Sequence, residues 1–131
     1  MILASKGKGA TIGWLQAPEQ NADLAAWHYH PLREAGWIMS LLLHDMDADG
    51  DRDLVFTDRK GSRSGVYWLE NPGVTAIRRH AQWKEHAIGA QGREVMFADI
   101  ADVNNDGRSD VIVAVKATEI VLFLHRSDHT W

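Results

Sequence analysis

Asp45-Met46-Asp47-Ala48-Asp49-Gly50-Asp51-Arg52-Asp53-Leu54 puts five carboxylates within nine residues, and that crowding decides how the chain is read. Unit charges ~4 Å apart cost about 1 kcal/mol per pair in water, and several times that where water is partly excluded. A cation among them removes the cost. The alternation Asp-x-Asp-x-Asp-Gly offers side-chain oxygens at positions 1, 3 and 5, and Gly50 at position 6 permits a sharp turn. A helix–loop–helix calcium site would also need a bidentate Glu at position 12, where this chain has Phe56. Asp53 at position 9 is the natural replacement. The Asp51 carbonyl is the expected backbone ligand at position 7, with the Asp51 side chain facing solvent.

A solvated acidic turn has the same composition, since Asp and Gly crowd turns. The second copy argues against it. Asp102-Val103-Asn104-Asn105-Asp106-Gly107-Arg108-Ser109-Asp110-Val111 keeps the spacing 57 residues later, with Asn104 in the place of Asp47. The expected side-chain ligands are Asp45, Asp47, Asp49 and Asp53 in the first loop, and Asp102, Asn104, Asp106 and Asp110 in the second. Arg108 holds position 7, where Asp51 stands in the first. Oxygen donors in a flexible loop suit calcium, whereas magnesium prefers a tight octahedron and keeps its waters. The first ligand set carries one more negative charge, so the first site is expected to bind more tightly.

The repetition reaches well beyond the loops. Ile12-Gly13-Trp14-Leu15-Gln16-Ala17-Pro18 returns as Val66-Tyr67-Trp68-Leu69-Glu70-Asn71-Pro72, and Trp27-His28-Tyr29-His30-Pro31-Leu32 returns as Trp83-Lys84-Glu85-His86-Ala87-Ile88. Residues 37–43 and 94–100 lead into the loops as strands. Residues 54–57 and 111–115 leave them as short apolar runs, suited to strands buried on both faces. Residues 65–69 and 119–124 form the third strand of each unit, and the alternating segments 27–32 and 83–88 form an outer, half-exposed fourth. Residues 18–26 are expected to hold a helical turn. Four antiparallel strands per unit of roughly 40–60 residues indicate an all-β fold of propeller blades. The expected division is 1–35 as strands two to four of one blade, 36–92 as a complete blade, and 93–131 as strands one to three of the next, with Trp131 beginning a fourth. A closed propeller needs at least about four blades. The remaining blades are therefore expected from a longer chain or from other copies.

Asp45-x-Asp47-x-Asp49-Gly50-x-x-Asp53-Leu54 and Asp102-x-Asn104-x-Asp106-Gly107-x-x-Asp110-Val111, each followed by an apolar strand, resemble the calcium-binding FG-GAP or VCBS-type repeats of integrin α-chain propellers and many large bacterial proteins. The ending Trp68-Leu69-Glu70-Asn71-Pro72 is similar to a bacterial subgroup. The Phe-Gly dipeptide that names the family is absent, with Trp37-Ile38 and Glu94-Val95 in its region. The resemblance implies one calcium per loop, held between the first and second strands of a blade. It also implies an extracytoplasmic setting and a binding or scaffolding role toward a protein or glycan. The alternative it implies is the propeller portion of a carbohydrate-active lyase or dehydratase whose catalytic residues lie elsewhere.

Composition is that of a globular domain: 131 residues, 45% hydrophobic, 24% charged, formal net charge −4. Lys and Arg are scattered, so no nucleic-acid footprint stands out. Cysteine is absent, which removes disulfides, thiolate metal sites and cysteine nucleophiles. No apolar run approaches the ~20 residues of a membrane span, and the first residues do not read as a signal peptide. His28 and His30 share one face of a strand, but His30 and His86 recur with the repeat, which favours a structural part over zinc. Trp14/Trp68 and Trp27/Trp83 recur likewise and are expected between blades. Trp37, Arg93 and Glu94 stand where first strands begin and are candidates to line a central channel. Arg59, Lys60 and Lys116 follow the second strands and are candidates to crown one rim. No spacing around Ser40 or the His and Asp residues implies a catalytic triad.

Overall fold

The computed structural model describes residues 1–20, 23–77, 79, 81–128 and 130–131. The chain forms three antiparallel sheets, a four-stranded one flanked by two three-stranded ones, and has almost no helix. It is an all-β, propeller-like fragment. The first sheet is β1 (Ile2–Ala4), β2 (Thr11–Gln16) and β3 (His28–Glu34). The central sheet is β4 (Ile38–His44), β5 (Asp53–Asp58), β6 (Gly65–Glu70) and β7 (Lys84–Gly89). The third is β8 (Val95–Ala101), β9 (Asp110–Val115) and β10 (Glu119–Phe123).

β5 is buried at all six positions because the central sheet is covered on both faces. Side chains of a strand alternate between faces, so Leu54 and Phe56 turn one way, with Tyr67 and Leu69 beside them and Ile12 and Leu32 of the first sheet against them. Val55 turns the other way with Val66 and Trp68, against Val95, Val111 and Val113 of the third sheet. Two hydroxyls complete the second contact. Thr57 Oγ1 donates to the Met96 carbonyl at 2.6 Å, and the Ala98 N–H donates to Ser40 Oγ at 2.9 Å.

The first contact is joined by ions. Arg33, 5% exposed, donates to Asp58 Oδ2 at 2.7 Å, Glu85 Oε2 at 2.5 Å and the Arg63 carbonyl at 3.1 Å. Its guanidinium lies 4.8 Å from the centre of the Phe56 ring and 4.9 Å from that of Tyr67. Nothing in the sequence singled out Arg33, because an arginine in an alternating outer strand reads as solvent-facing.

Several expectations are corrected. The helical turn is confined to Leu24–Ala26, a 3₁₀ turn capped by Asp23, whose Oδ1 accepts the Ala25 N–H at 3.1 Å; Asn21 and Ala22 of that stretch lie outside the described residues. A one-turn helix, α1 (Val74–Ile77), follows Asn71-Pro72-Gly73, where only a stop was expected. Trp131 begins no strand and instead stacks on His125, ring centres 4.5 Å apart. Trp14 and Trp68 do stand between sheets, Trp14 bordering one pocket with Trp83, and each also lies flat on the histidine paired across the strand in its own sheet, Trp14 on His30 and Trp68 on His86, both at 4.2 Å. Trp68 also packs in the core beside the third sheet, so it serves both contacts. A second bond ties each ring to the end of the third strand, His30 to Gln16 at 3.0 Å and His86 to Glu70 at 2.7 Å.

Candidate metal centre

Both acidic loops fold by the same local bonds, and their side chains make them. In the first, the Asp49 N–H donates to Asp45 Oδ1 and Asp47 Oδ1, both at 3.2 Å, and the Gly50 N–H donates to Asp45 Oδ2 at 3.0 Å. The Asp51 N–H donates to Asp49 Oδ1 at 2.8 Å. In the second, the Asp106 N–H reaches Asp102 Oδ1 at 3.1 Å and Asn104 Oδ1 at 3.0 Å, and the Gly107 N–H reaches Asp102 Oδ2 at 2.9 Å. The Arg108 N–H reaches Asp106 Oδ1 at 2.9 Å. These bonds turn the side chains at positions 1, 3 and 5 inward. Carboxylate oxygens of Asp45, Asp47 and Asp49 consequently lie within 4.8 Å of one another, close enough to share one ion.

Position 6 is left-handed in both loops, with φ of 93° at Gly50 and 84° at Gly107. Position 4 is left-handed too, with φ of 62° at Ala48 and 59° at Asn105. Asn tolerates that region and Ala does not, at roughly 1–2 kcal/mol. Ala48→Gly is therefore expected to raise stability by about 1 kcal/mol, read as a higher melting temperature with calcium binding retained.

Asp53 and Asp110, at position 9, are fully buried. Asp53 accepts the Met46 N–H on Oδ2 and the Asn71 N–H on Oδ1, both at 2.8 Å. Asp110 repeats this with the Val103 N–H at 3.0 Å and the His125 N–H at 2.9 Å. Each position-9 carboxylate thus fastens its loop to the end of the third strand, a job the sequence did not reveal. Burial pushes the Asp53 carboxyl up to about 6, against the two backbone N–H groups that favour its charge, and Asp47 and Asp49 add to the rise. Burial raises Asp47 as well, helped by the neighbouring charges of Asp49, Glu70 and Asp45. The cluster is short of positive charge, and its donors are all oxygen. That chemistry fits calcium.

Asp51 does not stand free in solvent. It is half-buried, and its Oδ2 lies 3.2 Å from where a Cβ on Gly73 would be. The second loop differs in one respect. Arg108 places its guanidinium on Asp106 Oδ2 at 2.7 Å and donates from Nε to the His125 carbonyl at 2.9 Å. The Arg108 N–H, followed by the Asn104 amide, holds Asp106 below the usual carboxylate range. The two loops are neighbours, flanking a cleft of about 180 Å³ lined by Asp45, Asp47, Arg108 and His125. His44 and Ser109, which lines the cleft, are joined by a 2.6 Å hydrogen bond.

At the opposite ends of the strands, Trp37 is half-buried with the Lys6 and Lys60 amines 4.9 and 5.0 Å from its ring centre. Glu94 pairs with Arg59 at 3.0 Å and Lys116 at 2.9 Å, and the Lys116 amine first, then the Arg59 guanidinium, hold its carboxyl below the usual carboxylate range. Arg93 pairs with Glu119. The Arg59–Glu94 pair joins the rims of the central and third sheets. Ser40 is occupied structurally, as an acceptor for Ala98. No helix among the described residues is long and apolar enough to cross a membrane.

Comparison with known proteins gives one match. The family model of FG-GAP-like repeats matches residues 45–113, from the first acidic loop through the second and into β9. No curated protein and no solved structure matches the chain.

Proposed function

Since the chain belongs to the FG-GAP-like repeat family, we propose that it is a calcium-stabilised β-propeller module that binds or scaffolds and does no chemistry of its own. Each sheet is read as a blade, with boundaries at 35/36 and 92/93. Asp45, Asp47 and Asp49 hold one ion, assisted by the Asp51 carbonyl and by Asp53. Asp102, Asn104, Asp106 and Asp110 hold a second, with the Arg108 carbonyl. What carries the reading is the identity of the backbone-to-side-chain bonds in two loops 57 residues apart. A solvated turn has no reason to repeat them.

The ion's part is structural. It ties the exit of a first strand to the entry of a second, across a loop whose like charges would otherwise force it open. Modules of this kind hold calcium at about 10⁻⁴–10⁻³ M, a range filled outside cells, so the setting we propose is extracytoplasmic. The partner we propose is a protein or glycan rather than a nucleic acid, since the unpaired charge at the loops is negative.

Calorimetric titration with calcium tests this. Two sites are expected, the first tighter by its extra charge and by the absence of a counter-ion like Arg108. Arg108→Ala leaves the position-7 carbonyl in place and removes the cation from Asp106, so it should tighten the weaker site severalfold. One site, or none, would end the proposal.

A further inference from the structure

The carboxylates of the two acidic loops lie at one end of the strands, and the opposite end carries amines with no carboxylate partner. Lys84 pairs with Glu70 and Lys116 with Glu94. Among the described residues no carboxylate pairs with Lys6, Lys8 or Lys60, and all three are exposed. Backbone bonds bring them together by laying three segments side by side. Lys6 bridges Trp37, and the Gly7 N–H donates to the Gly36 carbonyl at 2.9 Å. On the other flank, the Arg59 N–H donates to the Trp37 carbonyl at 2.8 Å. Gly36 passes so near the turn after β5 that a Cβ there would clash with the Lys60 carbonyl. The turns after β1 and β5 thus close on Trp37 from two sides. The Lys6 and Lys60 amines reach its ring, 4.9 and 5.0 Å from the centre, and Lys8 sits on the same turn as Lys6. Beside them opens a cleft of about 160 Å³ lined by Glu34, Gly36, Asp58, Lys60, Ser62 and Arg63. Asp58 is neutralised there by Arg33, and Arg63 by Glu85.

We propose that this end of the molecule binds a carboxylated polysaccharide, one uronate ring lying on the Trp37 indole and the carboxylates of the chain pairing with the Lys6 and Lys60 amines. This partner presupposes the reading of the chain as a binding module. Without ligand, the two amines have only a π face beside them, a weak partner at an exposed site. A carboxylate offers a charge-assisted hydrogen bond, which is stronger. The amines therefore leave the ring for the ligand and uncover the indole. An indole is a broad apolar plate, and the C–H face of a sugar ring packs on such a plate. Glu34 and Ser62, in the adjoining cleft, supply an acceptor and a hydroxyl for the sugar's own hydroxyls. Lysine rather than arginine selects the anion. A guanidinium forks onto phosphate, whereas an ammonium is a point charge that suits single carboxylates spaced along a chain. The arginines at this end are already spent: Arg59 on Glu94, Arg63 on Glu85 and Arg93 on Glu119. Among the described residues they leave no open fork here for the phosphates of a nucleic acid.

Titration of the full chain, in calcium, with oligomers of galacturonate, glucuronate and mannuronate tests this by calorimetry and tryptophan fluorescence. At least one of the three is expected to bind and to change the fluorescence. Its neutral methyl ester should bind about tenfold more weakly, the loss of one charge-assisted bond. Lys6→Gln and Lys60→Gln should each weaken binding about threefold to fivefold, the range of exposed ion pairs. Trp37→Leu should remove the fluorescence change. Arg126→Gln takes the same charge from an exposed position beyond β10, at the loop end, and should leave the affinity as it was. Binding that ignores both lysine substitutions would overturn the proposal, and so would an oligonucleotide or sulfated oligosaccharide that binds as tightly. Silence from all three uronates would overturn it too. If that silent protein still takes up two calcium ions, the module reading stands and only the partner assigned to this end is wrong.

Discussion

Arg33→Met is expected to lower the unfolding free energy by about 3–5 kcal/mol, because it strips the counter-charge from a buried carboxylate and keeps most of the volume. Asp58 is 1% exposed, and besides Arg33 it accepts only the N–H groups of Gly36 and Trp37, at 3.1 and 2.8 Å among the described residues. Losing the guanidinium also removes one of the two arginines that share Glu85, leaving Arg63, and the cation over the Phe56 and Tyr67 rings. In a chain of this length such a loss corresponds to a drop of on the order of 10–20 °C in melting temperature. Arg33→Lys should fall between, since an ammonium keeps the charge but cannot reach several acceptors at once. The measurement is urea unfolding followed by tryptophan fluorescence. A change under about 1 kcal/mol for Arg33→Met would mean that water reaches Asp58 and that the ion network does not hold the first two sheets together.

Among the described residues, that buried network occurs at one contact only. Val115, the last residue of β9, stands where Asp58 ends β5, and it is buried among valines. A buried ion network on one side of the central sheet, against valines, two hydroxyl bonds and a rim pair of Arg59 with Glu94 on the other, distinguishes the first sheet from the third.

Calcium at 10 mM should stabilise the protein by about 1–3 kcal/mol per site, the linkage expected for dissociation constants near 10⁻⁴–10⁻³ M. Thermal unfolding in calcium and in chelator measures it. Asp49→Ala should abolish the first site's share and Asp106→Ala the second's, each leaving the other intact. Equal melting temperatures in calcium and chelator would refute the ion's structural role.

The buried Asp53 adds a pH signature. Its folded value, about 6, lies above the ordinary 3.8. The stability it contributes is therefore fully present below about pH 4 and is lost as pH rises through 6. In chelator, the melting-temperature difference between wild type and Asp53→Asn should shift in favour of wild type as pH falls from 7 to 5. Calcium beside the carboxylate stabilises the charged form and should flatten that shift.

Much of this could be read from the letters. The loops and strands were legible because their determinants are close in sequence: a period of two along strands, glycine at the tight turn, and carboxylates that bond backbone N–H groups two to five residues away. β5 announced its burial on both faces by its apolar run, whereas β9, as apolar, is only half-buried at Ile112 and Ala114. Repetition did the rest, since a doubled motif separates a built loop from a chance acidic turn.

Tertiary structure decided what depended on distant partners. Arg33 finds Asp58 and Glu85 across 25 and 52 residues, and its alternating strand gives no hint that its end lies under another sheet. Asp53 looked like one more ligand until Asn71, 18 residues on, proved to be tied to it. Ala48 carries no mark of its left-handed backbone, which the closing of the loop imposes. Spacing along the chain fixes local geometry, whereas burial and pairing are settled only when separate sheets meet.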